Sequence, residues 1–316
     1  MYRRISIVFV SLFATLVFLC GSTCYGLKPG EGFVDVPGGK VWYRVVGEGK
    51  GTPLLVLHGG PGVPSYYLKP LGALGSDRPV IFYDQLGCGH SPGADDSTLW
   101  TIPRFLRELD AIRSALKLAD VDIYGHSWGS ILAFEYASAH PKGVHCLILA
   151  GPALDIPQFQ RDADSLLLQM PDSIQQVVNQ TVKAGAFESP EYQAAVMQYY
   201  QKFLARRQPW SADIDSSFAQ INPKLYAYVN GPSEFTLTGT FRDYDCTARM
   251  KDVRIPVLYV AGEFDEARPS TARHFQSLTP KSELAVIQNA GHLAMQDEPE
   301  QYVQTLRKFL SRFDHK

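Results

Sequence analysis

Gly125-His126-Ser127-Trp128-Gly129 stands directly after the apolar run Val121-Asp122-Ile123-Tyr124 and directly before a helix-like run from Ser130 to His140. This is a G-x-S-x-G pattern in the strand–turn–helix setting that a nucleophile elbow requires. The turn from strand to helix is strained, so the serine side chain has to project from it. Glycines flank the motif because a β-carbon would clash where the backbone folds back on itself. A serine hydroxyl alone is a poor nucleophile, so the reading requires a base and an orienting acid elsewhere in the chain.

Outward from the elbow, short apolar runs alternate with longer amphipathic ones. Phe33 to Val36, the Pro37-Gly38-Gly39 turn and Val41 to Val46 read as a β-hairpin. Leu54 to Leu57 and Val80 to Tyr83 read as buried strands. Ile102, Phe105, Leu106, Leu109, Ile112 and Leu116 form one helical face. After the elbow helix comes a strand at Val144 to Ala150. The rhythm resumes with a strand at Pro256 to Ala261, a helix near Ser270 to Ser277, a strand at Leu284 to Ile287 and a last helix from Pro299 to Phe313. Strands alternating with helices predict the α/β class, a mostly parallel sheet covered on both faces.

Residues 153–242 break this rhythm. Tyr192, Val196, Tyr199, Tyr200 and Phe203 fall at helical spacing, prolines recur, and strand-like runs are few. The expectation is a helical cap inserted over the carboxyl edge of the sheet, with the core divided into residues 27–152 and 243–316.

The chain has 316 residues, 45% hydrophobic and 20% charged, with a formal net charge of −2. That is ample for a large core. No long basic block is present, so nucleic acid is not an expected partner. Arg3 and Arg4 precede an apolar run from Ile5 to Cys20, with small and polar residues through Gly26. This is the shape of a secretory signal. As a helix the run would span roughly 24 Å, short of the ~30 Å hydrocarbon core. Residues 1–26 are therefore expected to be cleaved and the protein exported, periplasmic or secreted, with no stable membrane insertion; a retained membrane anchor is the alternative. Removal after Gly26 leaves Cys88, Cys146 and Cys246, so at least one thiol stays free. Cys146 lies in an apolar run and reads as core, while a Cys88–Cys246 bridge stays open. No Cys-x-x-Cys or other metal-ligand spacing occurs, so no metal or other cofactor is expected.

Serine hydrolases on open α/β sheets carry nucleophile, acid and base in that chain order. His292, in Asn289-Ala290-Gly291-His292, follows the strand Leu284 to Ile287 after a short turn. It is the candidate base, at the carboxyl edge where sites of such sheets lie. Asp265, in Gly262-Glu263-Phe264-Asp265-Glu266, follows the preceding strand in the same manner and is the candidate acid, with Glu263 and Glu266 as competitors. An oxyanion needs preplaced N–H donors. The Trp128 amide is one candidate, and His58-Gly59-Gly60-Pro61-Gly62 after Leu57 supplies the other. His58 and His126 read as structural, His58 holding this loop and His126 packing beside the elbow.

These elements together resemble a known family. His58-Gly59-Gly60-Pro61-Gly62, Asp84-Gln85-Leu86-Gly87-Cys88-Gly89-His90-Ser91, the elbow, Gly231-Pro232-Ser233-Glu234-Phe235, Gly262 to Glu266 and Ala290 to Met295 are similar to the prolyl aminopeptidase (proline iminopeptidase) family of α/β-hydrolases. The resemblance implies Ser127 as nucleophile, Asp265 as orienting acid and His292 as general base. It implies an oxyanion hole from the amides of Gly60 and Trp128. It also implies Glu234 and Glu266 as ligands of the substrate's free α-amino group. A protonated amine in a dry pocket needs such compensating charge. The implied activity is a metal-independent serine exopeptidase releasing an N-terminal residue, proline in particular, from short peptides. An esterase, lactonase or amino-acid amidase acting on small molecules with the same residues is the alternative.

Overall fold

The computed structural model describes residues 27–93, 95–139, 142–234 and 236–314. The expected signal segment, residues 1–26, lies outside the described residues.

The hairpin forms from β1 (Gly30–Val36) and β2 (Gly39–Val46), paired antiparallel. Next come β3 (Leu54–Leu57), β4 (Val80–Tyr83) and β5 (Val121–His126), buried throughout. Such continuous apolar runs suit strands covered on both faces. With β6 (Val144–Ala150), β7 (Val257–Gly262) and β8 (Ser282–Ile287) they make an eight-stranded sheet in the order β1-β2-β4-β3-β5-β6-β7-β8. Only the hairpin side is antiparallel; from β4 to β8 neighbouring strands run parallel. The buried Asp122 within β5 is matched by Arg78, 2.9 Å away, so the apolar layer carries no lone charge there.

Helix α1 (Ile102–Ala115) buries Phe105, Leu109 and Ile112, the face its spacing predicts. Helix α2 (Trp128–Ala139) follows the elbow and is buried on nearly all sides. Between β6 and β7 lie α3 (Ile156–Leu167), α4 (Asp172–Ala184), α5 (Pro190–Phe203), α6 (Ala212–Ala219) and α7 (Pro223–Val229). Pro157, Pro190 and Pro223 open helices of this insertion rather than break them: Pro190 and Pro223 begin α5 and α7 behind the capping side chains of Ser189 and Asn222. At that position the missing N–H had no intrahelical partner to lose. The inserted helices build a small core of their own around Leu166, Val178, Tyr199 and Phe203. The chain then returns through α8 (Thr247–Met250), α9 (Pro269–Leu278), α10 (Ala294–Asp297) and α11 (Pro299–Leu310).

Candidate active site

Ser127 sits between β5 and α2 with a backbone φ of 53°, in the left-handed region that non-glycine residues avoid. Its neighbours enforce this. A β-carbon on Gly125 would fall 2.2 Å from the Gly129 carbonyl oxygen, and one on Gly129 would fall 2.3 Å from that of Leu57. The Ser127 amide donates to the Ala150 carbonyl at 2.9 Å, which ties the elbow to β6. Trp128 begins α2, so its amide is one of the helix donors without an intrahelical acceptor. Because β3 and β5 are adjacent, the Gly59-Gly60 segment after β3 lies beside the elbow, and Gly60 and Ser127 line one cavity.

Asp265 and His292 come from the loops after β7 and β8. Asp265 Oδ1 lies 2.7 Å from His292 Nδ1. The same carboxylate accepts from the amides of Gly262 at 3.2 Å and Ala267 at 2.8 Å, which fixes its orientation. Glu263, a competitor for the acid role in the sequence, is exposed and accepts instead from the Asn289 amide. With Nδ1 donating to a carboxylate, the Nε2 of the neutral ring is left as its basic nitrogen. Burial by itself would lower the His292 pKa, but the Asp265 charge and hydrogen bond, followed by Glu266 and Glu234, outweigh it and push it up to about 9.

The cavity has a volume of about 250 Å³ and is lined by Ser127, His292, Glu234 and Glu266 together. Glu266 is buried, and its Oε2 has no hydrogen-bond partner among the described residues. Burial, then repulsion from Glu234, raises its pKa to about 8, against the opposing pull of His292. Glu234 comes from the inserted segment, and its Oε1 accepts the Tyr226 hydroxyl. Burial raises the Glu234 pKa, while the Tyr226 hydrogen bond and the His292 charge act against the rise. The rest of the cavity wall is largely apolar, with Val63, Leu204, Phe218, Ile221 and Leu293. Two acidic groups thus line one small, mostly apolar chamber.

The profile of the alpha/beta hydrolase fold family matches residues 52–299. A proline iminopeptidase of Heyndrickxia coagulans is 42% identical over 285 residues, covering 89% of this chain and 98% of that relative. The chain belongs to the proline iminopeptidase family of α/β-hydrolases. A second family member, from Saccharolobus solfataricus, is 30% identical over 292 residues, covering 91% of this chain and 94% of its own. The crystal structure of the Mycobacterium smegmatis proline iminopeptidase matches with a TM-score of 0.84 at 31% identity, covering 90% of this chain and 98% of that one.

In this member of the proline iminopeptidase family, the loops around the elbow are held by buried polar contacts. His58 accepts the Gln85 amide on Nε2 at 2.9 Å, and its Nδ1 lies 2.9 Å from the Gly59 carbonyl, a loop-holding pattern as the sequence predicts. Gln85 also donates to the His58 carbonyl and accepts the Trp128 indole N–H at 2.8 Å, so the Asp84-Gln85 element braces the loop after β3 against the elbow. Asp84 accepts from the amide and hydroxyl of Ser65 and from the amide of His90. His126 does more than pack. Its ring is hydrogen-bonded at both nitrogens, to Tyr67 and to the His292 carbonyl. No spacing rule points to this, because Tyr67 and His292 lie far from it in the chain. Cys88, Cys146 and Cys246 are all free and buried, so the Cys88–Cys246 bridge left open by the sequence does not form. Among the described residues, no group of three or more His, Cys, Asp or Glu side chains is placed to hold a metal ion, and no helix is long and apolar enough to cross a membrane.

Proposed function

We propose that the protein is a serine exopeptidase that releases an N-terminal residue, preferentially proline, from short peptides. The observation that carries this reading is the buried Glu266 carboxyl group, whose Oε2 has no partner among the described residues and which lines the cavity together with Ser127. A buried acceptor left unpaired is costly, and a ligand ammonium, primary or secondary, would satisfy it. Glu234 supplies a second carboxylate in the same cavity. Together they select a substrate by its free, protonated amine, and so place the first peptide carbonyl beside the nucleophile. The apolar wall of Val63, Leu204, Phe218 and Ile221 suits a compact ring that carries no polar group beyond that amine. The family relatives named proline iminopeptidase support proline as that residue.

In the proposed reaction, Ser127 Oγ attacks the carbonyl of the N-terminal residue while His292 Nε2 takes its proton. The oxyanion is held by the amides of Gly60 and Trp128. The C–N bond then breaks, with His292 returning the proton to the leaving amine. Water, deprotonated by the same ring, cleaves the ester and frees the amino acid. Asp265 keeps Nδ1 protonated and steadies the imidazolium. We further propose export, supported by Arg3-Arg4 and the apolar run to Cys20; N-terminal sequencing of protein recovered outside the cytoplasm should begin near Leu27, and an intact Met1 there would reject cleavage.

The test compares proline arylamide with its N-acetylated form on the purified enzyme. The acetylated substrate should lose at least about tenfold in kcat/KM, the equivalent of a charged hydrogen bond. Equal rates would reject amine selection and favour an esterase, lactonase or simple amidase. Preference for alanine, leucine or glycine arylamides over proline would keep the exopeptidase and reject the proline assignment.

A further inference from the structure

His126 fills the variable position just before Ser127, at the end of β5, and is buried. Its Nε2 lies 3.0 Å from the backbone carbonyl of His292. Its Nδ1 lies 2.9 Å from the Tyr67 hydroxyl. Tyr67 in turn accepts the Gly59 amide at 2.8 Å.

The proton positions in this chain follow from the partners. A carbonyl oxygen only accepts, so His126 Nε2 carries its hydrogen. In a neutral ring Nδ1 is then an acceptor, and the Tyr67 O–H donates to it. The Tyr67 oxygen is left free to receive the Gly59 N–H. Every donor in the chain finds an acceptor, in one tautomer only. A second proton on Nδ1 would meet the Tyr67 hydroxyl and leave that hydroxyl's hydrogen without an acceptor in a buried site. Burial and the nearby His292 charge act in the same direction, holding the His126 pKa well below its ordinary value.

The ends of the chain matter more than its middle. One end is the amide of Gly59, next to Gly60. The other is the backbone of His292, whose own amide is held by the Phe203 carbonyl at 2.9 Å. The His126 and His292 rings lie 4.6 Å apart between centroids. One imidazole thus spans the loop after β3 and the loop after β8, with the strained Ser127 attached to it directly.

We propose that His126 is a positioning residue: held neutral between Tyr67 and the His292 carbonyl, it fixes the distance between the oxyanion loop and the general base. The proposal rests on the serine-hydrolase roles assigned above to Gly60, Ser127 and His292. Its consequence is selective. Tyr67 and His126 line the same cavity as the glutamates assigned to the ammonium, but their polar atoms are spent on each other and on backbone groups, so ground-state binding should survive loss of the chain. The oxyanion donor and the base act together only as the tetrahedral species forms, so turnover should not survive unharmed.

The experiment compares His126→Leu, His126→Gln and Tyr67→Phe with the unaltered enzyme, using proline arylamide kinetics and the rate of Ser127 labelling by a fluorophosphonate. Leucine removes both hydrogen bonds. Glutamine offers an acceptor and a donor at nearly the ring's separation. Phenylalanine cuts the chain at Tyr67 and leaves His126 in place. The expected result is a fall in kcat of about 10- to 100-fold for His126→Leu and Tyr67→Phe, the scale of a displaced oxyanion donor. KM should stay within about twofold, labelling should slow in parallel with kcat, and His126→Gln should recover most of the loss. If His126→Leu does not fold, Tyr67→Phe carries the comparison. A kcat unchanged in all variants, a loss confined to KM, or a glutamine variant as poor as leucine would overturn the proposal. Ser127→Ala separates the layers: if it still turns over substrate, the underlying reading fails, whereas if it is inert while the His126 series is flat, only the positioning role fails.

Discussion

His292 Nε2 and Glu266 Oε1 lie 3.9 Å apart, and both side chains are buried. The nitrogen assigned to take the serine proton therefore lies close to a carboxyl group assigned to the substrate's amine. Asp265 on the other ring nitrogen and Glu234 in the same cavity add to the same field, and the His292 pKa is pushed up to about 9. A bound ammonium places a positive charge among these carboxylates, so it opposes the imidazolium and lowers that pKa. The profile of kcat/KM reports the free enzyme and that of kcat the complex. The acidic limb of kcat, along which the ring gives up its proton, should therefore lie at lower pH than that of kcat/KM. Coincident limbs would show that amine binding and base ionisation are independent.

Glu266 should cost the empty protein stability at neutral pH. Its pKa is about 8 folded against an ordinary 4.5, so the folded state binds the proton more tightly. Stability from this group is then highest below pH 4.5 and falls as pH rises toward 8. Glu266→Gln removes the titration. Its unfolding temperature should exceed that of the unaltered protein by more at pH 8 than at pH 5, while kcat/KM for a free-amine substrate drops by roughly 10- to 100-fold. A stability difference that does not change with pH would count against a strained carboxyl at this position.

Tyr226→Phe should act through Glu234. The hydroxyl donates to Glu234 Oε1 and opposes the rise in that carboxyl's pKa. Without it the pKa climbs further and more of the carboxyl is neutral at pH 7. KM for proline arylamide should rise by about 10- to 100-fold, the worth of one charged hydrogen bond, with partial recovery at higher pH. An unchanged KM at both pH values would place Glu234 outside amine binding.

Asp265→Asn keeps the shape of the acid but presents an amide to His292. The ring can then adopt the tautomer with Nε2 protonated, which cannot accept the serine proton. The expected result is a loss of about 10³- to 10⁴-fold in kcat with KM little changed. A loss of less than tenfold would mean that the Asp265–His292 contact does not govern the tautomer.

The free thiols make a simple check. Cys88 is buried, and burial followed by the Asp84 charge raises its pKa well above the ordinary thiol value, as burial and Asp122 do for Cys146. Few thiolates are exposed to reagents or oxidants. In protein lacking residues 1–26, which hold Cys20 and Cys24, reductant should leave the unfolding temperature unchanged, and a thiol reagent should label it only after unfolding. Loss of stability on reduction would require a disulfide.

The sequence by itself determined the sheet, the elbow and the order of its chemistry. Buried parallel strands are written as local apolar runs, and a G-x-S-x-G turn is dictated by sterics within a few residues, so Ser127 and the strands around it are legible without a partner in view. The positions of Asp265 and His292 follow too, because each trails a strand by a short loop and parallel strands end on one edge. The resemblance of the Gly231 to Phe235 element carried Glu234, which periodicity alone could not. Only the tertiary structure decided that Glu266 faces Nε2 of His292 while Glu263 turns to solvent, that Cys88 and Cys246 stay apart, and that His126 joins Tyr67 to the His292 backbone. These are contacts between side chains distant in the chain, in which direction and proton position depend on how several loops close over one cavity. A linear pattern fixes where a loop leaves the sheet, but not which atom of it another loop will meet.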